Sequence, residues 1–164
     1  LIIADFARLQ SRFDNSGANP AGARLAPKPP MADPTPERAR TLALHARAFR
    51  FTCGVINAYP RQRYLDDPSR IVWRELVKAA ASSTFNLEEA DAASSDADFI
   101  SKMRIACREA KESYVAIRII AACALAGAAA VGKYLDEANQ LASIYSAIVR
   151  NKKANMKMKA PRRH

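Results

Sequence analysis

The stretch NLEEADAASSDADF, Asn86 to Phe99, sets five carboxylates in fourteen residues between two Ala-rich segments, VKAAASS and ISKMRIAC. Both flanks read as helix, because Ala leads the helix-propensity scale. An acidic cluster between helices can bind a metal, activate a water, or cap and solvate the junction. Ser95 stands three residues before Asp98, with the spacing of a capping box, and Asp96 and Asp98 suit the positive end of a helix just starting. Glu88 and Asp91 can face water beside the junction. The stretch reads as architecture, a break between two long helices.

Working outward, a first helix begins after Pro36 and stops at Tyr59, ahead of Pro60. At about 100° per residue, Leu42, Ala46, Phe49, Cys53 and Ile56 share one face, and Leu44, Phe51 and Val55 the opposite one. Arg40, Arg47, Arg50 and Asn57 fill a strip between them. A surface helix needs one apolar stripe, so two imply a bundle face and a partner face. Leu44, Phe51 and Val55 are taken as the partner face. A second helix starts at Asp67 as N-cap, with Pro68 in its first turn, and ends near Ala92 or Ala93. Its apolar or small face is Ile71, Leu76, Ala79, Ala80 and Ser83, widened by Trp73 and Val77. The third runs from Ser95 to a close at Gly127, with Phe99, Met103, Ala106, Ala110, Tyr114, Ile117, Ala121 and Ala124 as its stripe. The fourth spans about Val131 to Asn151, burying Leu135, Ala138, Leu141, Ala142, Tyr145, Ile148 and Val149. Four amphipathic helices with short connections form an all-α, up-and-down four-helix bundle. Nothing reads as strand.

The 164 residues suffice for one domain with a core of its own. The formal charge of +10 is concentrated at the ends: residues 150–164 hold seven Lys or Arg and no acid, residues 1–30 contribute +2, and 31–149 only +1. The expected organisation is a flexible extension over 1–35, with Met31 as a plausible true start, a bundle domain over 36–151, and a disordered basic tail over 152–164. Cys53, Cys107 and Cys123 are odd in number and lack any CxxC spacing, which suggests buried reduced thiols in a cytoplasmic protein. No run reaches the ~18 apolar residues of a membrane span, and LIIADFARLQ has neither the basic start nor the cleavage site of an export signal.

Catalytic readings find little to stand on. A di-iron bundle site needs Glu-x-x-His on two helices, and Glu109 and Glu112 have no histidine with them. His45 and His164 are the only histidines, no phosphate-binding glycine loop occurs, and Ser82, Ser83, Ser94 and Ser95 have no evident base. A histidine-poor magnesium site around Glu89, Glu109 and Glu112 is the remaining metal reading. The expected alternative is a polar network of Asn86, Glu89, Lys102, Glu109 and Glu112 joining the second and third helices. No catalytic residue, metal or cofactor is expected.

Ser82, Asn86, Glu89, Ala90, Ser95, Asp98, Phe99, Lys102, Ile105, Ala106, Glu109, Ala110 and Glu112 together make a spaced pattern. It resembles the signature of the 23S rRNA intervening-sequence (S23) family of four-helix bundle proteins. The likeness covers about residues 37–150. It departs where SSTF precedes Asn86 without the family's glycine, and where Arg108 replaces a lysine. The resemblance implies a bacterial bundle that assembles into a homopentameric ring, with no catalytic residues to carry over. Distant relatives, the accessory variability proteins of diversity-generating retroelements, bind nucleic acid and a reverse transcriptase. The expected function is therefore a non-enzymatic oligomer that binds RNA, DNA or a reverse transcriptase-like partner through basic residues. The candidates are Arg40, Arg47 and Arg50 on the first helix and Lys152, Lys153, Lys157, Lys159, Arg162 and Arg163 in the tail. The alternative is a protein-interaction scaffold with no nucleic-acid role.

Overall fold

The computed structural model describes residues 34–61 and 66–159. The expected extension therefore lies, up to residue 33, outside the described residues, as do Arg162, Arg163 and the side chain of Lys159. Helix α1, Pro36–Ala58, starts where the Thr35 side chain accepts the Arg38 N–H at 3.3 Å and Pro36 occupies the first turn. It ends at Tyr59, beside Pro60. Helix α2, Asp67–Asp91, is capped one residue earlier than the spacing suggests. Asp66 accepts both the N–H of Ser69 at 2.8 Å and its hydroxyl at 2.9 Å. Those two bonds, backbone first, hold the Asp66 carboxyl below its ordinary pKa.

Helix α3, Asp96–Ala122, begins as expected, with the Ser95 hydroxyl accepting the Asp98 N–H at 3.1 Å. Its end differs. Leu125 N–H donates to Ile120 O at 3.0 Å and Ala124 N–H to Ala121 O at 3.3 Å, the paired bonds of a Schellman turn. Ala124 takes the left-handed position at φ 49° that glycine usually fills. Gly127, expected to close this helix, instead stands at φ 80° as the N-cap of a short helix α4, Ala128–Gly132. A Cβ there would lie 2.8 Å from Pro60 and 2.9 Å from Trp73. Helix α5 runs Leu135–Lys159. Residues 152–159, expected as disordered tail, continue it as helix.

The long helices alternate in direction. Thr52 and Ala48 of α1 meet Ala80 and Thr84 of α2, while Arg38 reaches Asp91. Ser83 of α2 meets Ala106 of α3, and Ser69 meets Ala126 just beyond it. Cys107 of α3 meets Ala142 of α5, and Asp96 meets Lys152. In each pair, residue numbers fall on one helix as they rise on the other. The chain is thus an up-and-down bundle in which α2 and α3 share the largest interface, α3 and α5 the next, and α1 touches α5 only thinly. No strand occurs among the described residues.

The core is a column of Trp73, Leu76, Met103, Ile117, Ile120, Leu141 and Tyr145 with alanines between them. Small residues let the backbones approach. The Thr52 and Thr84 hydroxyls lie 2.8 Å apart, beside the Ala80 and Ala48 carbonyls; one donates to the other, which in turn donates to its carbonyl, so both buried hydroxyls of the α1–α2 seam are satisfied. Gly54 serves close approach as well, since a Cβ there would fall 2.5 Å from the Tyr134 ring.

This packing reverses the assignment of the α1 stripes. Phe51 and Val55 are core residues at 2% and 0% exposure, and Leu44 packs partly buried against them. The stripe left at the surface is Leu42, Phe49 and Ile56, at 47%, 47% and 43%. On α2, Ile71 is exposed rather than part of the apolar face, and Trp73, given only a widening role, lies in the core. On α3, Ala121 and Ala124 are exposed, and Ile120 is buried instead. The thiols do not share one environment: Cys107 is buried, Cys53 intermediate and Cys123 exposed.

Candidate functional site

The residues of the spaced pattern run from the last turns of α2 through the connection into α3 and on to about its middle. Their polar groups act mainly within their own helices. Asn86 donates to the Ser82 carbonyl one turn back at 2.9 Å, and Ser95 caps α3. Glu112 is exposed, 3.6 Å from Arg108, which also holds the buried Glu109 at 2.9 Å. One member of the expected network crosses between helices: Lys102 reaches Glu89 at 2.5 Å, and that bond raises the Lys102 pKa. Phe99 packs against the core under the Lys152 ammonium, 5.3 Å from its ring centroid. Among the described residues no three His, Cys, Asp or Glu side chains gather closely enough to hold a metal ion.

The arginines expected to form a strip on α1 are separated by their surroundings. Arg47 donates from Nε and Nη2 to the two oxygens of Glu137 at 2.5 and 2.8 Å, and Nη2 also bonds Gln140. The Glu137 bond, foremost, holds its guanidinium above the usual pKa. This half-buried fork closes the thin α1–α5 seam and is occupied by that task. Arg40 and Arg50 remain exposed.

The cations of α5 are arranged differently. Lys152 is bound to Asp96 at 2.6 Å, at the first residue of α3. Residues 153–159 extend beyond that point by about 10 Å. Arg150, Lys153 and Lys157 recur at i, i+3 and i+7 and are exposed. No acid follows Glu137 in the chain.

Sequence reasoning missed the neighbouring cations on α3. Arg104, Lys111 and Arg118 are spaced seven residues apart and therefore share one stripe. Arg104, Arg108 and Lys111 line a groove of about 390 Å³ together with Cys107 and, from α5, Ser146, Val149 and Arg150. Arg118 extends the stripe, its guanidinium 5.6 Å from the Tyr114 ring centroid. The seven-residue repeat was a visible signal. Its meaning depends on α5 lying alongside.

On the other side of the bundle, around α1 and α2, Phe85 of α2 is 63% exposed, as are Leu42, Phe49 and Ile56 of α1 to a lesser extent. His45 Nδ1 lies 2.9 Å from Glu88 Oε1 across the same seam. Deeper in, burial pushes the Tyr145 phenol up to about 12. Its hydroxyl bonds no described residue.

No helix among the described residues is long and apolar enough to cross a membrane. No family model matches the chain, and no curated protein matches it. A solved structure does: a protein of unknown function from the S23 ribosomal protein family of Bacteroides thetaiotaomicron, 19% identical, with a TM-score of 0.56. The match covers 65% of this chain and 97% of that one. At this identity the likeness shows a shared helical-bundle fold.

Proposed function

We propose that the chain is a non-enzymatic bundle of the S23 type that assembles with copies of itself and binds nucleic acid through basic residues of α5 and its surroundings. The observation that carries the reading is the charge distribution. Beyond Glu137 the chain has no acid, and Arg150, Lys153 and Lys157 stand exposed along one side of α5. Such a stripe attracts phosphates and releases their counterions. The exposed apolar stripe of Leu42, Phe49 and Ile56 on α1, with Phe85 exposed on α2, supports self-assembly. The ring-shaped pentamer that the resemblance to the S23 family implies is the expected assembly. Copies of α5 on one assembly would raise the effective concentration of cations at a single polyanion.

Fluorescence anisotropy with duplex DNA at two salt concentrations tests the binding. The full chain should bind with an affinity that falls steeply with salt, and removal of residues 152–164 should flatten that dependence. Undetectable binding at low salt would favour the second reading, a protein-interaction scaffold docked through the α1–α2 apolar stripe. Light scattering tests assembly, and a monomer at micromolar concentration would contradict it.

A further inference from the structure

We infer that the groove between α3 and α5 seats one phosphate backbone of a nucleic-acid duplex, without reading its sequence. This rests on the nucleic-acid reading above and moves the contact from the end of α5 into the body of the bundle. Cys107 packs against Ala142 and Ser146, and Asp96 against Lys152, which fixes the two helices side by side in opposite directions. Along that line Lys111, Arg104, Arg150, Lys153 and Lys157 follow one another over roughly 27 Å, taking 1.5 Å per residue.

None of these five cations has an acidic partner within ion-pair distance among the described residues, whereas Arg47, Lys102 and Lys152 each do. Arg108 lies in the same groove but is neutralised by Glu109 and Glu112. Asp96, the acid beside the line, is held by Lys152. Unpaired like charges in a row repel one another, so a polyanion laid along them is stabilised by all of them together.

The chemistry of the groove selects among polyanions. Ser146 adds a hydroxyl, and no aromatic side chain lines it. A single strand is held mainly by stacking its bases on aromatic rings, a platform this groove lacks. The exposed aromatics, Phe49 and Phe85, belong to the α1–α2 side. What remains is contact with phosphate and sugar, which positions a duplex and carries no sequence information.

The test is the salt dependence of short-duplex binding by R104Q/K111Q, full length, beside wild type, the 152–164 deletion and R40Q/R50Q. Losing two phosphate contacts should make the log–log slope shallower by about 1.8, at about 0.9 per contact. The loss should be the same for unrelated sequences, and R40Q/R50Q should keep the wild-type slope. Circular dichroism melting confirms the fold. If the double variant melts early, the single variants R104Q and K111Q should each give about half the change. A wild-type slope in R104Q/K111Q, with loss confined to the deletion, overturns the groove and leaves the nucleic-acid reading standing. No binding by wild type overturns both. Tighter binding to a single strand of equal phosphate count, or equal competition by polyglutamate, overturns the assignment to a duplex.

Discussion

The α1–α2 side and the α3–α5 side of the bundle are built from the same kind of amphipathic helix and differ in where large apolar groups and lines of cations reach the surface. On the first, Leu42, Phe49, Ile56 and Phe85 leave large apolar groups in water. On the second, Arg104, Lys111, Arg150, Lys153 and Lys157 form a line of cations without acidic partners among the described residues. The difference comes from how each seam is closed. The α1–α2 seam closes on small residues, Ala48, Thr52, Ala80 and Thr84, so the larger apolar groups of α1 divide between the core and the surface. The α3–α5 seam closes on Met103, Cys107, Ala138 and Ala142, which leaves its rim to cations. An apolar rim invites protein, and a cationic rim invites phosphate.

The sharpest way to break this contrast lies on α1, where one helix serves both interior and surface. Val55→Asp should put an unpaired carboxylate in the core, cost about 4 kcal/mol or more, and leave little folded protein. Phe49→Asp should change the stability of the isolated chain by only about 0.5 kcal/mol, yet dissociate the proposed assembly. Denaturant unfolding with light scattering checks both. Equal loss of stability in the two variants would mean that the stripes are not inside and outside.

A smaller effect belongs to the packing that holds α1 down. Gly54→Ala places a methyl against the Tyr134 ring and should cost about 1–3 kcal/mol by denaturant unfolding. A neutral result would show that α1 moves freely over α4 and α5. Milder still is the cap of α2. Asp66 has a depressed pKa in the folded chain, so its contribution is present above the ordinary carboxylate value and is lost as pH falls through the lower, native one. Asp66→Ala should therefore lower the melting temperature near neutral pH, and the deficit should shrink as the solution is acidified past that native value. The smallest expected change is a gain: Ala124→Gly relieves a left-handed alanine and should stabilise by about 0.5 kcal/mol.

The sequence was most legible where structure is local. Pro36, Ser95 and Pro60 mark helix ends through their own bonds and rings, and α5 showed its single apolar stripe directly. Helix α1 was not legible in the same way. Two stripes give periodicity no means of choosing, and the choice is made by Thr52 meeting Thr84 across 32 residues of sequence. The candidate site divides likewise. The cations of α5 stand out because no acid follows Glu137, and the Arg104–Lys111–Arg118 repeat is visible as spacing. That Arg47 is consumed by Glu137, 90 residues away, only packing reveals.

The division of labour between the two sides is tested most directly by lysine acetylation with and without duplex DNA, read by mass spectrometry. Lys111, Lys153 and Lys157 lie on the α3–α5 side, while Lys78 on α2 and Lys133 beside Tyr134 do not. DNA should protect the first three and leave Lys78 and Lys133 as reactive as in the free protein. Equal protection of all five, or protection of Lys78 while Lys111 stays reactive, would contradict the account.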